Sequence, residues 1–514
     1  MTGIVFLIGA GPGDPSLVSV RGLQCLKVAD VVVHDHQVHP RLLSHAPAHA
    51  ERINVGSGAG QVLEQDAVAY LLAEKAREGR FVVRLKFGDA FSFGHGAGEA
   101  LFLHEQGVRF EVVPGIPLSL AAPIYAGIPL TYRGGGETLT FVRTSDERES
   151  GGPTVDWSHL ARFDGTLVCE TASDRVADLV ARLQSHGRAA DEPAAIIYDG
   201  TLQSQETVAG TLGDVATRPR RPGDRQMAVL VAGRVTALRE HLRWFDARPL
   251  FGRRILVTRP REQAAELSER LEALGAEAIE APLIRIAAPD DYGPLDAACR
   301  SLGRFDWIVF TSANAVDAFM GRLLASSLDV RALGRVKLCA VGPATSDRLR
   351  TYGLKVDAVP AEYRAEALAQ VLAERGDVRG LHVFLPRADI GREVVAAELR
   401  KNGAEVTEAV AYQTVLIDPE REGGPDVYRM LLEHRLDVVT FTSASAVRSL
   451  VKVLGDEPAA DLLATTVVAS IGPVTAEAAA QHDILTTIMP KAYTIPALVE
   501  AIVQHFRAHG DRPT

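Results

Sequence analysis

The sequence has few cysteines and aromatic residues and lacks long apolar runs, and these absences exclude several classes of protein. Its four cysteines (Cys25, Cys169, Cys299 and Cys339) lie far apart and form no CxxC pair, which argues against a disulfide framework and against a zinc site. Aromatic residues make up only 6% of the chain, and no apolar run approaches the length of a membrane span. The first residues, MTGIVFLIGAGPGDP, lack the basic segment of a signal peptide. We therefore expect a cytoplasmic protein with no membrane partner.

Positive charge is also not in excess, since the formal net charge is −10. A negative chain exerts no long-range attraction on nucleic acid, so we expect no nucleic-acid partner. An anionic substrate would have to be held by local donors, such as arginines and backbone N–H groups at helix starts.

What the sequence does contain is an alternation of short apolar strands with longer helical segments. Examples of such strands are GIVFLIGAG (3–11), ADVVVHD (29–35), RFVVRLKFGD (80–89) and FEVVPG (110–115). This alternation is typical of α/β proteins with parallel sheets. With 514 residues, the chain is too long for one core and predicts several domains.

Two segments interrupt this rhythm. Residues 143–157 are polar and glycine-rich, which indicates a loop or an interdomain linker. In residues 238–254 a helix ends, a proline follows, and a new strand begins with ILVTRP, so we place the main boundary near Pro249.

Beyond that boundary the chain repeats itself. WIVFTSANAVDAF (307–319) returns as VVTFTSASAVRSL (438–450), and LCAVGPATSDRL (338–349) returns as VASIGPVTAEAA (468–479). ILVTRP (255–260) is echoed by VFLPRA (383–388), which aligns Arg259 with Arg387. Two copies at nearly constant offsets predict two similar α/β lobes in one half of the chain.

The repeated segments predict sites for carboxylates. Each is an apolar strand that ends in small polar residues and leads into a helix, so backbone N–H groups and hydroxyls face the helix start, where anions are favoured. The alternative is that these residues are ordinary helix caps. The candidates are Thr311, Ser312, Gly342, Thr345, Thr442, Ser443, Gly472 and Thr475.

The second half as a whole resembles uroporphyrinogen-III synthase, over essentially all of residues 251–505. The segments that carry the likeness are TRPREQAAELSERLEALGAEAIEAPLIRI (258–286), FDWIVFTSANAV (305–316), CAVGPAT (339–345), FLPRADIGREVVAAELRKNGAEVTEAVAYQT (384–414), VVTFTSASAV (438–447) and ASIGPVTAEAA (469–479). The resemblance implies two α/β lobes joined by a β-ladder, lobe one being 251–288 plus 415–505 and lobe two 289–414. It also implies cyclisation of hydroxymethylbilane to uroporphyrinogen III with inversion of the last ring.

That reaction requires positioning of a substrate with eight carboxylates more than strong acid–base catalysis. The resemblance implies Tyr412 as the residue that assists departure of hydroxide. Arg259 and Arg387 are candidates for pairing with substrate carboxylates, and structural ion pairs are the alternative. For this half we expect neither a metal nor a cofactor.

The first half opens with GAGPGDP (9–15), a weak match to a dinucleotide-binding turn, because Asp14 stands at the third glycine position. GPGDPSLVSVRG (11–22), VVVHD (31–35), RLKFGDAFSFGHG (84–96), VVPGIPLSLAAPIYAGIPLT (112–131) and residues 165–212 instead resemble uroporphyrinogen-III C-methyltransferase. That family transfers methyl groups from S-adenosylmethionine to uroporphyrinogen III on the way to siroheme and cobalamin. The resemblance implies two α/β domains, 1–132 and 133–245.

This resemblance keeps some functional positions and loses others. It assigns the catalytic aspartate to Asp35 and parts of the cofactor pocket to Pro12, Gly88, Asp89 and Ala228. It departs at four places, where the family's residues are replaced by Gly56-Ser57-Gly58, by Phe87 and Ala90 around Gly88-Asp89, by Pro117-Leu118-Ser119, and by Thr171. We therefore expect this half to be degenerate. The alternatives are a fully bifunctional enzyme that makes precorrin-2, or a non-catalytic docking module.

The remaining expectations concern metals and partners. His34, His36 and His39 flank Asp35 without a standard zinc spacing, so we expect polar strand-end residues there and no metal. The resemblances imply hydroxymethylbilane and uroporphyrinogen III as ligands and suggest two protein partners. These are hydroxymethylbilane synthase and a second copy of the chain, bound through the methyltransferase-like half.

Overall fold

The computed structural model describes residues 3–56, 65–94, 96–133, 137–144, 155–217, 227–360, 365–373, 378–389, 394–420, 424–455 and 459–509. Strands alternate with helices throughout, which confirms the predicted α/β class. The chain divides into two compact units, one made of the residues up to Arg253 with Leu271–Glu277, and the other of Arg254–Arg270 and Ala278–His509. In the described part of the chain no helix combines the length and apolarity that a membrane crossing needs.

The first sheet of unit one is wholly parallel, with strand order β3-β2-β4-β1-β5. Its strands are β1 Ile4–Gly9, β2 Val31–His34, β3 Glu51–Asn54, β4 Phe81–Lys86 and β5 Phe110–Val113. Its helices are α1 Val20–Leu26, α2 Pro40–Leu43, α3 Gln65–Arg77, α4 Gly96–Glu105 and α5 Leu118–Tyr125. The four strands predicted from apolar runs are β1, β2, β4 and β5. Such runs are expected where helices cover both faces of a parallel sheet.

The second sheet of unit one is mixed, so the prediction of parallel sheets is wrong for it. Its order is β6-β7-β10-β8-β9, and β10 runs antiparallel to both β7 and β8. The strands are β6 Leu139–Arg143, β7 Thr166–Ala172, β8 Pro193–Tyr198, β9 Glu206–Thr211 and β10 Met227–Ala232, and the helices are α6 Trp157–Arg162, α7 Val176–Ser185, α8 Leu212–Val215 and α9 Arg239–Leu242. A short loop joins the antiparallel neighbours β8 and β9, which a parallel pair does not allow. Most of the predicted linker 143–157 lies outside the described residues.

Unit two contains two further sheets, with strand orders β12-β11-β18-β19 and β13-β17-β16-β14-β15. Their strands are β11 Arg254–Val257, β12 Glu277–Glu280, β13 Ile284–Ala287, β14 Trp307–Phe310, β15 Lys337–Ala340, β16 His382–Ala388, β17 Glu405–Leu416, β18 Val438–Phe441 and β19 Val467–Ser470. The helices that follow Arg253 are α10 Arg261–Ala273, α11 Gly293–Arg300, α12 Ala313–Ala325, α13 Pro343–Thr351, α14 Ala365–Ala373, α15 Val394–Lys401, α16 Val427–Leu432, α17 Ala444–Leu454, α18 Ala459–Leu463, α19 Pro473–Ala480 and α20 Ile495–His509.

The internal repeat corresponds to matching strand–helix pairs in these two sheets. β14 leads into α12 as β18 leads into α17, and β15 leads into α13 as β19 leads into α19. Each β14–β15 and β18–β19 pair is parallel, so their following turns share one sheet edge. β13, which the predicted boundary at residue 288 assigns to lobe one, instead lies in the sheet of β14 and β15, where it pairs antiparallel with β17.

Candidate functional sites

Tyr412 lies on the long strand β17, beside the start of helix α12. Its phenol Oη is 3.1 Å from Ser312 Oγ. Ser312 is the N-cap of α12, and the same Oγ accepts a hydrogen bond from the Ala315 N–H at 3.1 Å. Ser312 is therefore an ordinary helix cap, as the alternative interpretation holds, and it also contacts the candidate acid.

The surroundings of Tyr412 keep its phenol protonated. Burial is the largest effect and raises the pKa of Tyr412, and the carboxylate of Asp389 adds to this. The side chains of Ser312 and Asn314 oppose the rise, since hydrogen bonding to the oxygen favours the phenolate. The net pKa lies above the ordinary value, so the group carries a proton at neutral pH and can give it up.

A cavity of about 530 Å³ opens beside this phenol. Its wall is formed by Gln263, Ile286, Ala287, Ala288, Tyr292, Asn314, Asp317, Ala318, Gly321, Arg322, Ala411 and Tyr412. Gln263 Nε2 donates to Asn314 Oδ1 at 2.7 Å, so two hydrogen-bonded amides line the same cavity as the phenol.

The charged groups in this wall already have partners. Arg322 binds both carboxylate oxygens of Asp296, at 2.8 and 2.6 Å, and stacks over the Tyr292 ring at 4.2 Å. Asp317 accepts from Arg348 at 2.5 Å and from the Tyr352 hydroxyl at 3.0 Å. Neither group needs a ligand to compensate its charge.

The two arginines aligned by the repeat have different surroundings. Arg387 is ion-paired with Glu408 at 2.8 Å and donates to the carbonyl oxygen of Ala388 at 3.0 Å. Arg259 donates to Gln263 Oε1 at 3.1 Å, but among the described residues its buried Nε has no hydrogen-bond partner. Burial lowers the pKa of Arg259, with Glu266 opposing this effect. The buried Nε of Arg387 likewise makes no well-directed hydrogen bond among the described residues, although it lies 2.8 Å from the Glu408 carboxylate. The two arginines therefore differ in ion pairing: the charge of Arg387 is compensated, whereas no ion pair of Arg259 is found in the described part of the chain.

The other predicted turn residues lie where the repeat implies, at the starts of four helices. Ser443 caps α17 and accepts from the Ala446 N–H at 3.2 Å, while Gly342 and Gly472 are the N-cap residues of α13 and α19. Thr345 and Thr475 are buried, at 6% and 4% exposure, so their hydroxyls are not presented at the surface of the turn. Thr311 and Thr442 are half-buried at the strand ends. Among these candidates, Ser312 alone contacts Tyr412 through a hydrogen bond in the described structure.

In unit one the structure brings together the turns that the resemblance assigned to a cofactor pocket. Gly11 and Gly88 exchange backbone hydrogen bonds of 3.0 and 2.8 Å, which joins the turn around the buried Pro12 to the Phe87–Asp89 loop. Gly88 has φ +70°, a conformation that favours glycine. The φ angle of Phe87 is not positive, so the backbone at this position does not require the glycine that the family has.

Asp35 belongs to a buried cluster of two cations and two carboxylates. It pairs with Arg84 at 2.5 Å and accepts from the Phe87 N–H at 2.8 Å. Glu99 pairs with both Arg84 at 3.3 Å and Lys86 at 2.8 Å. Burial acts to raise the pKa of Asp35, but the two cations and the Phe87 N–H outweigh it and the pKa is lowered. Asp35 is therefore ionised and held in place.

Asp89 links two loops through hydrogen bonds to their backbone N–H groups. Its carboxylate accepts from the backbone N–H groups of Phe91, Ser92 and Gly115, at 3.0, 2.7 and 2.8 Å. Burial opposes ionisation, but these donors lower the pKa of Asp89 overall. The residue holds the loop through this network of hydrogen bonds.

A cavity of about 240 Å³ lies between these loops and β7. Asp35, Gly88 and Asp89 line it, together with Phe87, Pro117, Leu118, Glu170 and Met227. Ala228 and Thr171 instead face away from it: Ala228 is in the hydrophobic core and the Thr171 hydroxyl bonds to that of Thr144 at 2.8 Å. The replaced Ser57 and Gly58 lie outside the described residues.

Two of the three histidines around Asp35 serve local structure. His34 Nδ1 lies 2.9 Å from the carbonyl oxygen of Asp35, and His39 caps α2 by accepting from the Arg41 N–H at 3.2 Å. Among the described residues, no three histidine, cysteine or acidic side chains form a group suited to a metal.

Several residues of these sites were missed by the sequence analysis. In unit one they include Arg84 and Lys86, whose alternation inside an apolar strand is a signal of a buried charged face. Glu170, at 6% exposure, carries the same kind of signal in β7. In unit two, Gln263 and Asn314 gave no such signal.

Comparison with known proteins supports the family resemblance of each half. The family described as uroporphyrinogen-III synthase HemD matches residues 265–500, and the tetrapyrrole (corrin/porphyrin) methylases match residues 5–216. The porphyrin biosynthesis protein HemD of Ruminiclostridium josui is 34% identical over 503 residues, which cover 98% of each chain. The chain belongs to the HemD family. It is a fusion of a tetrapyrrole methylase domain with a HemD domain, as predicted.

Other relatives of this HemD-family chain match less of it. The uroporphyrinogen-III C-methyltransferase of Bacillus subtilis (strain 168) is 35% identical over 358 residues, which are 70% of this chain and 73% of that one. Among solved structures, the native uroporphyrin III C-methyl transferase from Thermus thermophilus is 34% identical, with a TM-score of 0.40, and covers 46% of this chain and 99% of that one.

Proposed function

We propose that the HemD half cyclises hydroxymethylbilane to uroporphyrinogen III, with Tyr412 as the residue that assists departure of hydroxide. The observation that carries this proposal is the protonated phenol beside a cavity, fixed by Ser312 at 3.1 Å. A phenol with a raised pKa is a weak acid, which suits a leaving group that the electron-rich pyrrole already helps to expel. The main contribution of the protein is to hold the reacting ends together.

Substrate carboxylates need donors that the protein has not already used. Arg259 provides a half-buried cation without an ion pair among the described residues, and we assign it to a carboxylate of the substrate. We assign the turns that begin α12, α13, α17 and α19 to further carboxylates, because each presents helix N-terminal N–H groups. Arg387 has a structural role in its pair with Glu408.

For the methylase half we propose a cofactor site that has lost part of its affinity. The residues fit S-adenosylmethionine in part: the buried carboxylate of Glu170 lines the cavity and suits a cationic ligand, and Gly88 permits close approach of the backbone. Pro117 and Leu118, by contrast, present an apolar wall without side-chain donors. When bound, the cofactor would supply a methyl group. Asp35, already held by Arg84 and the Phe87 N–H, would face the substrate side.

The test uses the full chain and enzymatically made hydroxymethylbilane, with and without S-adenosylmethionine, and identifies the products by isomer and mass. We expect the type III isomer without any added cofactor, and little or no methylated product when S-adenosylmethionine is present. The same mixture without protein is the control, since the substrate closes spontaneously to the type I isomer. Formation of only type I by the folded protein would refute the synthase assignment.

A further inference from the structure

We propose that Gln263 and Asn314 form an amide pair that positions Tyr412 in the synthase half. This inference rests on the proposed role of Tyr412 and adds two residues that act through it. The pair joins two segments of the chain, since Gln263 is on α10, which follows β11, and Asn314 is on the first turn of α12, which follows β14.

The hydrogen bonds fix the orientation of each amide in turn. Arg259 Nη2 donates to Gln263 Oε1 at 3.1 Å, which directs the Gln263 amide nitrogen away from the arginine. That nitrogen donates to Asn314 Oδ1 at 2.7 Å. An amide presents its oxygen and its NH₂ group on opposite sides, so occupation of Oδ1 leaves the Asn314 NH₂ group as the donor available to the phenol, with which it shares the cavity wall.

A donor at the phenol oxygen has a definite chemical effect. The oxygen receives a hydrogen bond that becomes stronger as negative charge develops on it, which stabilises the tyrosine that has lost its proton. Burial raises the pKa of Tyr412, and the Asn314 and Ser312 side chains partly offset this. With Asn314 as a donor, the phenolic proton is directed to Ser312 Oγ or to an acceptor in the cavity. Asn314 and Gln263 are thus positioning residues, because neither transfers the proton.

The internal repeat shows that the turn itself does not need an asparagine. The counterpart of Asn314 in the second copy is Ser445, and the Ser443 cap hydroxyl lies 2.9 Å from the Ser445 hydroxyl. Both turns start a helix and both cap serines accept the N–H three residues on, at 3.1 and 3.2 Å. The first copy, whose cap Ser312 contacts Tyr412, therefore has Asn314 at this position. The second copy has Ser445, whose hydroxyl contacts the cap serine of the same turn.

The test measures the titration of Tyr412 and the steady-state kinetics in the full chain. Protein labelled with ¹³C at the tyrosine ζ carbon gives one signal that disappears in Tyr412→Phe, and this assigns the residue. We expect Asn314→Leu to move the titration of this signal to higher pH and to lower kcat by about tenfold or more, with KM changed less than about threefold. Asn314→Asp should move the titration in the same direction, both because it loses the donor and because its carboxylate repels the phenolate, and it guards against a folding defect in the leucine variant. Gln263→Leu should also move the titration to higher pH and lower kcat, both by smaller amounts than Asn314→Leu.

Ser445→Ala is the matched control and should leave the Tyr412 titration unchanged. An unchanged titration in both Asn314 variants would overturn the inference. So would an equal loss of kcat from Asn314→Leu in the Tyr412→Phe background, because Asn314 would then act without the phenol. If Tyr412→Phe retains full activity while the titration still shifts, the proposed acid role fails and the amide pair remains a structural contact only.

Discussion

The guanidinium of Arg387 lies 2.8 Å from the carboxylate of Glu408, and Arg400 binds the other oxygen of that carboxylate at 2.7 Å. Arg259, the counterpart of Arg387 in the repeat, has no carboxylate within ion-pair distance among the described residues. Two arginines that are equivalent in sequence therefore differ in the charge that they can offer to a polyanionic substrate.

This difference predicts different kinetic effects for two matched substitutions. Arg259→Met should raise KM for hydroxymethylbilane by about tenfold, the equivalent of about 1.4 kcal/mol of lost carboxylate binding. Arg387→Met should change KM by less than about threefold, because its charge is already compensated by Glu408. Steady-state assays of both variants make the comparison, and equal KM values would contradict it.

The contact between Tyr412 and Ser312 predicts a ranking of hydroxyl losses. Tyr412→Phe should lower turnover more than Ser312→Ala, Thr345→Ala, Ser443→Ala or Thr475→Ala. Each serine or threonine substitution leaves the backbone N–H groups of its turn in place, whereas Tyr412→Phe removes the acid that the resemblance implies. Loss of a general acid typically costs about 100-fold, and less for a good leaving group. A loss in Thr475→Ala equal to or larger than that in Tyr412→Phe would show that the ranking is wrong.

Sequence patterns were sufficient for the strands and for the turns that follow them. Apolar runs located β1, β2, β4 and β5 because a strand covered on both faces must be apolar throughout. The internal repeat placed Ser312 and Ser443 at equivalent helix starts, where both are caps. These features depend on residues close together in the chain.

Features that depend on distant residues were not predictable in this way. Gln263 and Asn314 are 51 positions apart and meet only through the fold. The pairing of Arg387 with Glu408 depends on the register of β16 against β17, which the repeat does not encode. In unit one, Glu170 and Met227 line the cavity, whereas the assigned Ala228 and the replacement Thr171 do not, because neighbouring residues of a strand point to opposite faces.

The buried cluster around Asp35 predicts a large stability effect from removing one cation. Arg84→Met should lower the free energy of unfolding of unit one by about 3–5 kcal/mol, since it leaves the carboxylates of Asp35 and Glu99 with Lys86 alone. The matched control is Arg21→Met, which breaks an exposed pair with Glu111 and should cost less than about 1 kcal/mol. Denaturant unfolding followed by a probe in unit one measures both. Similar costs for the two variants would contradict the prediction.

The hydrogen bonds to Asp89 predict a stability loss that depends on pH. The folded pKa of Asp89 lies below its unfolded value, so its contribution is complete above the unfolded pKa, about 4, and disappears as the pH falls through the folded pKa. Asp89→Asn keeps one acceptor oxygen and should cost about 2 kcal/mol at pH 7. Denaturation at several pH values should show this difference shrinking below about pH 4. A difference that stays constant down to pH 2 would mean that the ionised form is not what stabilises the loop.

The cavity of the methylase half predicts weak binding of the cofactor product, S-adenosylhomocysteine. Phe87, Pro117 and Leu118 line the cavity where the family has a glycine and polar residues, and each lost polar contact costs about 1 kcal/mol. Pro117 and Leu118 account for two such contacts, about 2 kcal/mol or roughly 30-fold at about 1.4 kcal/mol for each factor of ten. The Phe87 side chain in addition crowds an approach that the family's glycine leaves open. Calorimetric titration of the full chain should therefore show no micromolar Kd.

The combined variant Phe87→Gly, Pro117→Thr, Leu118→Ser should bind more tightly than the native chain. Phe91→Ala is the matched control: this side chain in the same loop is 50% exposed and does not line the cavity, so its removal should not improve binding. Micromolar binding by the native chain, together with formation of precorrin-2, would instead establish a bifunctional enzyme, with Glu170 and the Gly11–Gly88 junction sufficient to hold the cofactor.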